Sequence, residues 1–346
     1  MIEPIQPLLL PDEADLSARA PAPGRARPGK GLGGAKPAKA QGQRDKHPKN
    51  SLNELSGDEW IFFTKSVLTT AYASEYGHAL RRAHGANKPP QLMKSLIEFF
   101  TKADGRVLDP FAGVGGTLIG ASIASPAREC VGIEINPRWA EVYRRVVRQS
   151  GGALCEYPLH EGDSLQLLED RDLFPDQSFD FICTDPPYNV HLEQTMANDR
   201  RYTGDHANRR TDYNMRSEAP QDLANLSSYE AYLDSIQQAI RGCFRVLKHG
   251  KYLAIILRNA YQGGRYVFTH VDVARRAELE GFVVKGETIW YQVGTRLRPY
   301  GYPYAYIPNI THQHIVFLQK PVVSRTRRQS TLSTVAGGAA QPSTAI

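Results

Sequence analysis

Arg106-Val107-Leu108-Asp109-Pro110-Phe111-Ala112-Gly113-Val114-Gly115-Gly116-Thr117 decides the fold. Its first half reads as a short apolar strand, its second as a glycine-rich turn, and the residues from Thr117 to Ser125 as the helix that the turn opens. Glycines at such a junction let a ligand come close to the backbone. An acid at the strand's exit suits a cationic ligand better than a pyrophosphate. The turn also departs from the Gly-x-Gly-x-x-Gly dinucleotide fingerprint.

The same strand-then-helix unit recurs on both sides. Cys130 to Ile135 is a second strand ending in the acid Glu134, and Pro137 starts an amphipathic helix over 137–149. A weaker third strand near Leu154 to His160 leads to Gly162-Asp163-Ser164. Phe179 to Cys183 is a fourth, and it runs into Thr184-Asp185-Pro186-Pro187-Tyr188. Two prolines after a carboxylate make a stiff, extended exit, leaving the Asp185 carboxylate and the Pro186 carbonyl to face a polar guest beside the Tyr188 ring. Upstream, Trp60 to Leu80 reads as a helical lead-in, and Leu92, Leu96, Phe99 and Phe100 recur at helical spacing behind Lys88-Pro89-Pro90. Downstream, a helix over Tyr229 to Leu247 closes on Lys248-His249-Gly250 as a C-cap. A strand from Tyr252 to Leu257, a helix from Val271 to Leu279 and strands at Phe282 to Tyr291 and His314 to Leu318 complete the chain's pattern. Such alternation predicts an α/β fold with a doubly wound, mostly parallel sheet whose last pairing is antiparallel. Asp109, Glu134, Asp163 and Asp185 then fall one after each successive strand, at the edge where ligands bind. Glu134, about twenty residues past the glycine turn, is placed to accept ribose hydroxyls.

Composition bounds the rest. The chain has 346 residues, 41% hydrophobic, with 29 Gly and 23 Pro, and a net charge of +6, compatible with a polyanionic partner. Residues 1–50 are expected to be a disordered Pro/Gly/Ala-rich tail, 51–322 the folded domain, 189–226 a long flexible loop that can contact the target, and 323–346 a second disordered tail. Between Arg25 and Lys49 eight basic residues face the single acid Asp45, so a phosphate-binding arm is one reading and a solvated tail the other. The four cysteines lack metal-ligand spacing, which points to buried free thiols and a reducing, cytoplasmic compartment. No apolar stretch nears the roughly twenty residues that span a bilayer, so no membrane partner is expected. The stretch from Arg296 to Tyr306 interleaves Arg296, Arg298, Tyr300 and Tyr302 on an irregular loop, read either as a stiffened cap on the sheet or as a wall of the base pocket or a nucleic-acid contact. His312 and His314 read as strand polar residues without a carboxylate partner, and no metal is expected.

The glycine turn from Asp109 to Thr117, together with Asp185-Pro186-Pro187-Tyr188-Asn189, resembles the S-adenosylmethionine-dependent amino-methyltransferases of DNA over about residues 70–320. The resemblance implies a seven-stranded, Rossmann-like class I methyltransferase with S-adenosyl-L-methionine as cofactor. Lys88 and Pro89 would pack on the methionine end of the cofactor. Asp109, Pro110, Phe111, Gly113 and Gly115 would line its methionine and ribose, Glu134 would hold the ribose hydroxyls and Asp163 the adenine amine. Asp185, Pro186, Pro187 and Tyr188 would form the catalytic turn, with Tyr188 stacked on a base flipped from duplex DNA. An acid opening that turn favours adenine N6. Cytosine N4, guanine N2 in RNA, and an inactive cofactor- and nucleic-acid-binding protein stay open as alternatives. A DNA substrate would place the protein at the nucleoid; the oligomeric state and any restriction partner are not legible.

Overall fold

The computed structural model describes residues 46–188, 222–226 and 228–322. The expected tails, apart from 46–50, and most of the 189–226 loop lie outside these residues. Asn50 packs on the domain: the Lys102 ammonium donates to its carbonyl at 2.7 Å, and its amide donates to Asn53 at 2.7 Å. The end of the stretch assigned to the first tail is therefore part of the folded unit.

Helix α1 (Gly57–Phe63), strand β1 (Val67–Leu68) and helix α2 (His78–Arg81) precede α3 (Pro90–Phe100). The repeating units are β2 (Arg106–Asp109), α4 (Gly116–Ser122), β3 (Glu129–Glu134), α5 (Pro137–Gln149), β4 (Leu159–Glu161), α6 (Ser164–Leu167) and β5 (Phe179–Thr184). Then come α7 (Tyr229–Val246), β6 (Leu247–Leu257), β7 (Ala260–Gln262), β8 (Arg265–Val267), α8 (Thr269–Leu279), β9 (Val283–Tyr291) and β10 (His312–Gln319). The main sheet runs β1-β9-β10-β6-β5-β2-β3-β4, with β10 antiparallel to both neighbours and every other pair parallel. This is the doubly wound, mostly parallel sheet the alternation predicts.

The strands alternate between two apolar layers, as the period of two requires. Val107, Phe181, Cys183, Ala254 and Ile256 face the layer built with α3, α4 and α5. Leu108, Ile182, Leu253, Ile255 and Leu257 face the one built with α7 and α8. Helix α3 forms because Pro90 sits at its first position and Leu92, Met93, Leu96, Ile97, Phe99 and Phe100 are all buried. Each fully buried side chain of that size stabilises by about 1.5–3 kcal/mol.

Three expectations are corrected here, and one element is new. Among the described residues the sheet has eight strands rather than seven, because Val67 and Leu68 add a short edge to β9 within the segment read as helical; the Ile289 amide donates to the Ser66 carbonyl at 2.8 Å. Lys248-His249-Gly250 is no C-cap. Leu247 is fully buried and pairs with Phe179, so the chain leaves α7 directly into β6, and Lys248 pairs with Asp180 at 2.7 Å. The third strand is confined to Leu159–Glu161, after Pro158. The β7–β8 hairpin was not anticipated; its turn uses Gly263 and Gly264, both at positive φ. Among the described residues no helix is long and apolar enough to cross a membrane.

Candidate active site

Strand order reverses between β2 and β5, which makes their carboxyl ends the topological switch point. The side chains on either side are tied together. Thr184 donates to one oxygen of Asp109 at 2.6 Å and Thr117 to the other, while the Phe111 amide adds a bond at 3.0 Å. Asp109 thereby fixes the strand exit, the glycine turn and the start of α4 to one another. Burial pushes its carboxyl up to about 6, against these three donors.

A cavity of about 410 Å³ opens beside this junction, within the range of small-molecule sites. Lys88, Asp109, Pro110, Phe111, Gly113, Glu134, Asp163, Asp185, Pro186, Pro187 and Tyr188 all line it. Glu134 accepts from the Gly113 amide at 2.7 Å and the Asn136 amide at 2.8 Å, and burial pushes it up to about 7. Asp163 caps α6 by accepting from the Leu165 amide at 2.9 Å. Gly115 and Pro89 are not on the cavity wall. Gly115 has φ +75°, and a Cβ there would lie 2.2 Å from the Tyr143 ring, so it is glycine for close packing. Pro89 is the residue before α3. Arg296, Arg298, Tyr300 and Tyr302 lie away from the cavity, on the connection between β9 and β10. That loop is clamped where Asn309 exchanges two 2.8 Å hydrogen bonds with the Arg298 backbone.

At the catalytic turn, Tyr188 donates its hydroxyl to Oδ1 of Asp185, and Lys88 donates to Oδ2. Sequence reasoning gave Lys88 to the cofactor and found no partner for Asp185; the pair joins residues 97 apart. Burial raises the Asp185 carboxyl, with Lys88 and then Tyr188 pulling it back. Further residues of the site carry no motif in the sequence. Arg81 is buried and donates to the carbonyls of Val114 (3.3 Å) and Lys88 (2.6 Å), bracing the glycine turn against the Lys-Pro-Pro segment. Asp222, Leu223 and Ala224 close the far wall. His84 packs edge-on against Trp139, and burial beside Lys88 and Arg81 lowers it to about 4. Its Nδ1 is buried without a hydrogen-bond partner among the described residues.

His314 does have a carboxylate partner, contrary to expectation: Glu287 lies 2.8 Å from its Nδ1 and 3.7 Å from Nε2 of His270. The three could hold a metal by proximity. However, the two rings are stacked 3.7 Å apart and 7° from parallel, so no single ion lies in both ring planes. The Asn259 oxygen faces Nδ1 of His270 and its amide nitrogen faces Nε2 of His314, which leaves the His314 proton on Nδ1, directed at Glu287. The cluster is a hydrogen-bonded stack.

The donor set and the cavity fit S-adenosyl-L-methionine. Carboxylates at the switch point suit a sulfonium, Glu134 and Asp163 suit ribose and adenine, and Gly113 keeps the wall low, with only the His84 ring near where a Cβ would point. Fold and site together define a Rossmann-like domain of the S-adenosylmethionine-binding type. Residues 35–145 and 179–332 match the sequence model described as DNA methylase, and the chain belongs to that family. It is also 31% identical over 114 residues to the tRNA (guanine(10)-N2)-dimethyltransferase of Pyrococcus abyssi, covering 33% of this chain and 32% of that protein. With the enzyme of the same description from Methanothermobacter thermautotrophicus it shares 33% identity over 102 residues, 29% of this chain and 27% of that one. The chain thus spans about a third of these relatives' length. Among solved structures, TTHA0409 of Thermus thermophilus, crystallised with S-adenosyl-L-methionine, aligns at TM-score 0.30 and 23% identity over 48% of this chain and 56% of that one. TrmN of Thermus thermophilus aligns at TM-score 0.37 and 17% identity over 70% and 48%.

Proposed function

We propose that the protein methylates an exocyclic amino group of a nucleic-acid base, and that the base is adenine, modified at N6 in DNA. The observation that carries this reading is Asp185, a carboxylate at the exit of β5, on the wall of the same cavity as Glu134 and the glycine turn. Glu134, Asp163 and the turn would hold S-adenosyl-L-methionine, whose sulfonium would supply an electrophilic methyl group, the sulfur–methyl bond breaking as the nitrogen–methyl bond forms and the neutral thioether leaving. Asp185 and the Pro186 carbonyl accept the two N–H bonds of the target amine and draw its lone pair out of conjugation with the ring. Tyr188 offers a face to the flipped base, and the proton released leaves to solvent. A second reading, guanine N2 in RNA, is favoured by the two relatives that act on tRNA guanine.

Incubation with methyl-labelled cofactor and either DNA or tRNA, followed by nucleoside mass spectrometry, tests both. Label in N6-methyladenine from DNA is expected. Label only in N2-methylguanosine from RNA would establish the second reading instead. Asp185→Ala is expected to cut the rate by about 10²–10³-fold while cofactor affinity stays near wild type; a variant that keeps its rate would remove Asp185 from the chemistry.

A further inference from the structure

Lys88 is an unusual residue to find at the bottom of this cavity. Its side chain is 5% exposed, and the Asp185 carboxylate it meets is 16% exposed. The ammonium donates to Oδ2 of Asp185 and to the Ala86 carbonyl at 3.2 Å, and lies 5.5 Å from the centre of the Tyr188 ring. The backbone from which the lysine projects is held in place, because Arg81 donates to its carbonyl and the next two residues, Pro89 and Pro90, are stiff. An ammonium this deep is costly unless an anion shares the site, and a carboxylate this deep is costly unless a cation does.

We infer that Lys88 is a positioning residue for amino methylation: its ammonium holds the Asp185 carboxylate ionised and oriented as a hydrogen-bond acceptor for the target amine. The inference rests on the proposed role of Asp185 and assigns the Lys-Pro-Pro segment a part in the chemistry besides packing on the cofactor. The requirement comes from hydrogen-bond polarity. An ionised carboxylate only accepts, whereas a protonated one donates from one oxygen and meets an N–H of the amine with the wrong partner.

The surroundings of Asp185 make Lys88 the group that decides. Asp109, Cys183 and Tyr232 are buried and feel the Asp185 charge as repulsion when they ionise. Tyr188 contributes a neutral hydroxyl. Arg258 acts on Tyr188 rather than on Asp185. Among the described residues, the cation in contact with the carboxylate is Lys88, and an opposite charge at contact is worth about 1–3 pH units on a carboxyl group.

The test has two arms. In the first, the carboxyl carbons of aspartate are labelled with ¹³C, and the Asp185 signal, identified by its loss in Asp185→Asn, is titrated in the full-length protein without cofactor or substrate. Lys88→Met is expected to move that titration upward by about 1–3 pH units; a midpoint unchanged in Lys88→Met and in the milder Lys88→Gln would overturn the inference. This arm stands whether or not the protein methylates DNA, so failure of the proposed function is read separately. In the second arm, Lys88→Met is expected to lower kcat at neutral pH, to recover as pH rises, and to have no further effect in the Asp185→Asn background. A loss confined to the KM for the cofactor, with an unmoved pH profile, would make Lys88 a cofactor contact and overturn the positioning role. Circular dichroism and thermal melts of each variant exclude misfolding as the cause.

Discussion

Glu134 holds the backbone amides of Gly113 and Asn136 at once, one on each oxygen, and still borders the cavity. Its carboxylate therefore ties the glycine turn to the start of α5 and presents charge to whatever binds there. Because burial pushes its carboxyl up to about 7, the acceptor form is lost as pH falls through neutrality. The affinity for S-adenosyl-L-methionine is expected to weaken about tenfold between pH 8 and pH 6, as the ionised fraction drops. Glu134→Gln is expected to bind more weakly at pH 8 and to show little pH dependence over the same window. Calorimetric titration across that range decides it: a wild-type affinity that is flat with pH would overturn the proposed contact of Glu134 with the cofactor. Asp109 differs in kind. Its oxygens accept from Thr117, Thr184 and Phe111, so besides lining the cavity it holds the shape of the turn.

At the scale of elements, α2 matters out of proportion to its four residues, because it carries Arg81 into the gap between the glycine turn and Lys88. Arg81→Met keeps the buried apolar stem and deletes the donors to two carbonyls. A loss of about 2–4 kcal/mol in denaturant unfolding is expected, since an unsatisfied buried acceptor costs about 1–3 kcal/mol. Unfolding at the wild-type midpoint would mean that the turn is held by other contacts. The loop between β9 and β10 is the opposite case, a rigid frame with exposed rings. Gly301 is forced to positive φ under the Ala305 carbonyl, while Tyr302, Tyr304 and Tyr306 are 75%, 94% and 87% exposed. If these rings stack on bases, changing each to Ser is expected to cost about 1–3 kcal/mol of nucleic-acid affinity per base lost. Cofactor affinity serves as the control, and unchanged nucleic-acid binding would return the loop to a structural role.

For the molecule as a whole, a chain of residues 46–322 is expected to fold and to bind S-adenosyl-L-methionine as the full chain does. Its DNA affinity should fall less steeply with salt, because six of the eight basic residues between Arg25 and Lys49 are removed. Equal salt slopes for the two chains would show that the basic segment does not touch phosphate. The sequence by itself determined the doubly wound sheet and the strand-exit carboxylates that line part of the cavity. Strand exits and glycine turns are local patterns, and Asp109, Glu134, Asp163 and Asp185 each follow their own strand wherever the strands later pair. Strand limits were less legible: Leu247 leaves α7 straight into β6 because it is buried against the neighbouring strand, which overrides the turn signal of Lys248-His249-Gly250. The contacts that set chemistry were not legible at all. The pairing of Lys88 with Asp185, the brace from Arg81 to Val114, and the stack of His270 on His314 beside Glu287 join residues between 27 and 97 positions apart where the partners are hydrogen-bonded. Only the tertiary structure decided these, because they depend on which strands become neighbours and how deeply each charge is taken out of water.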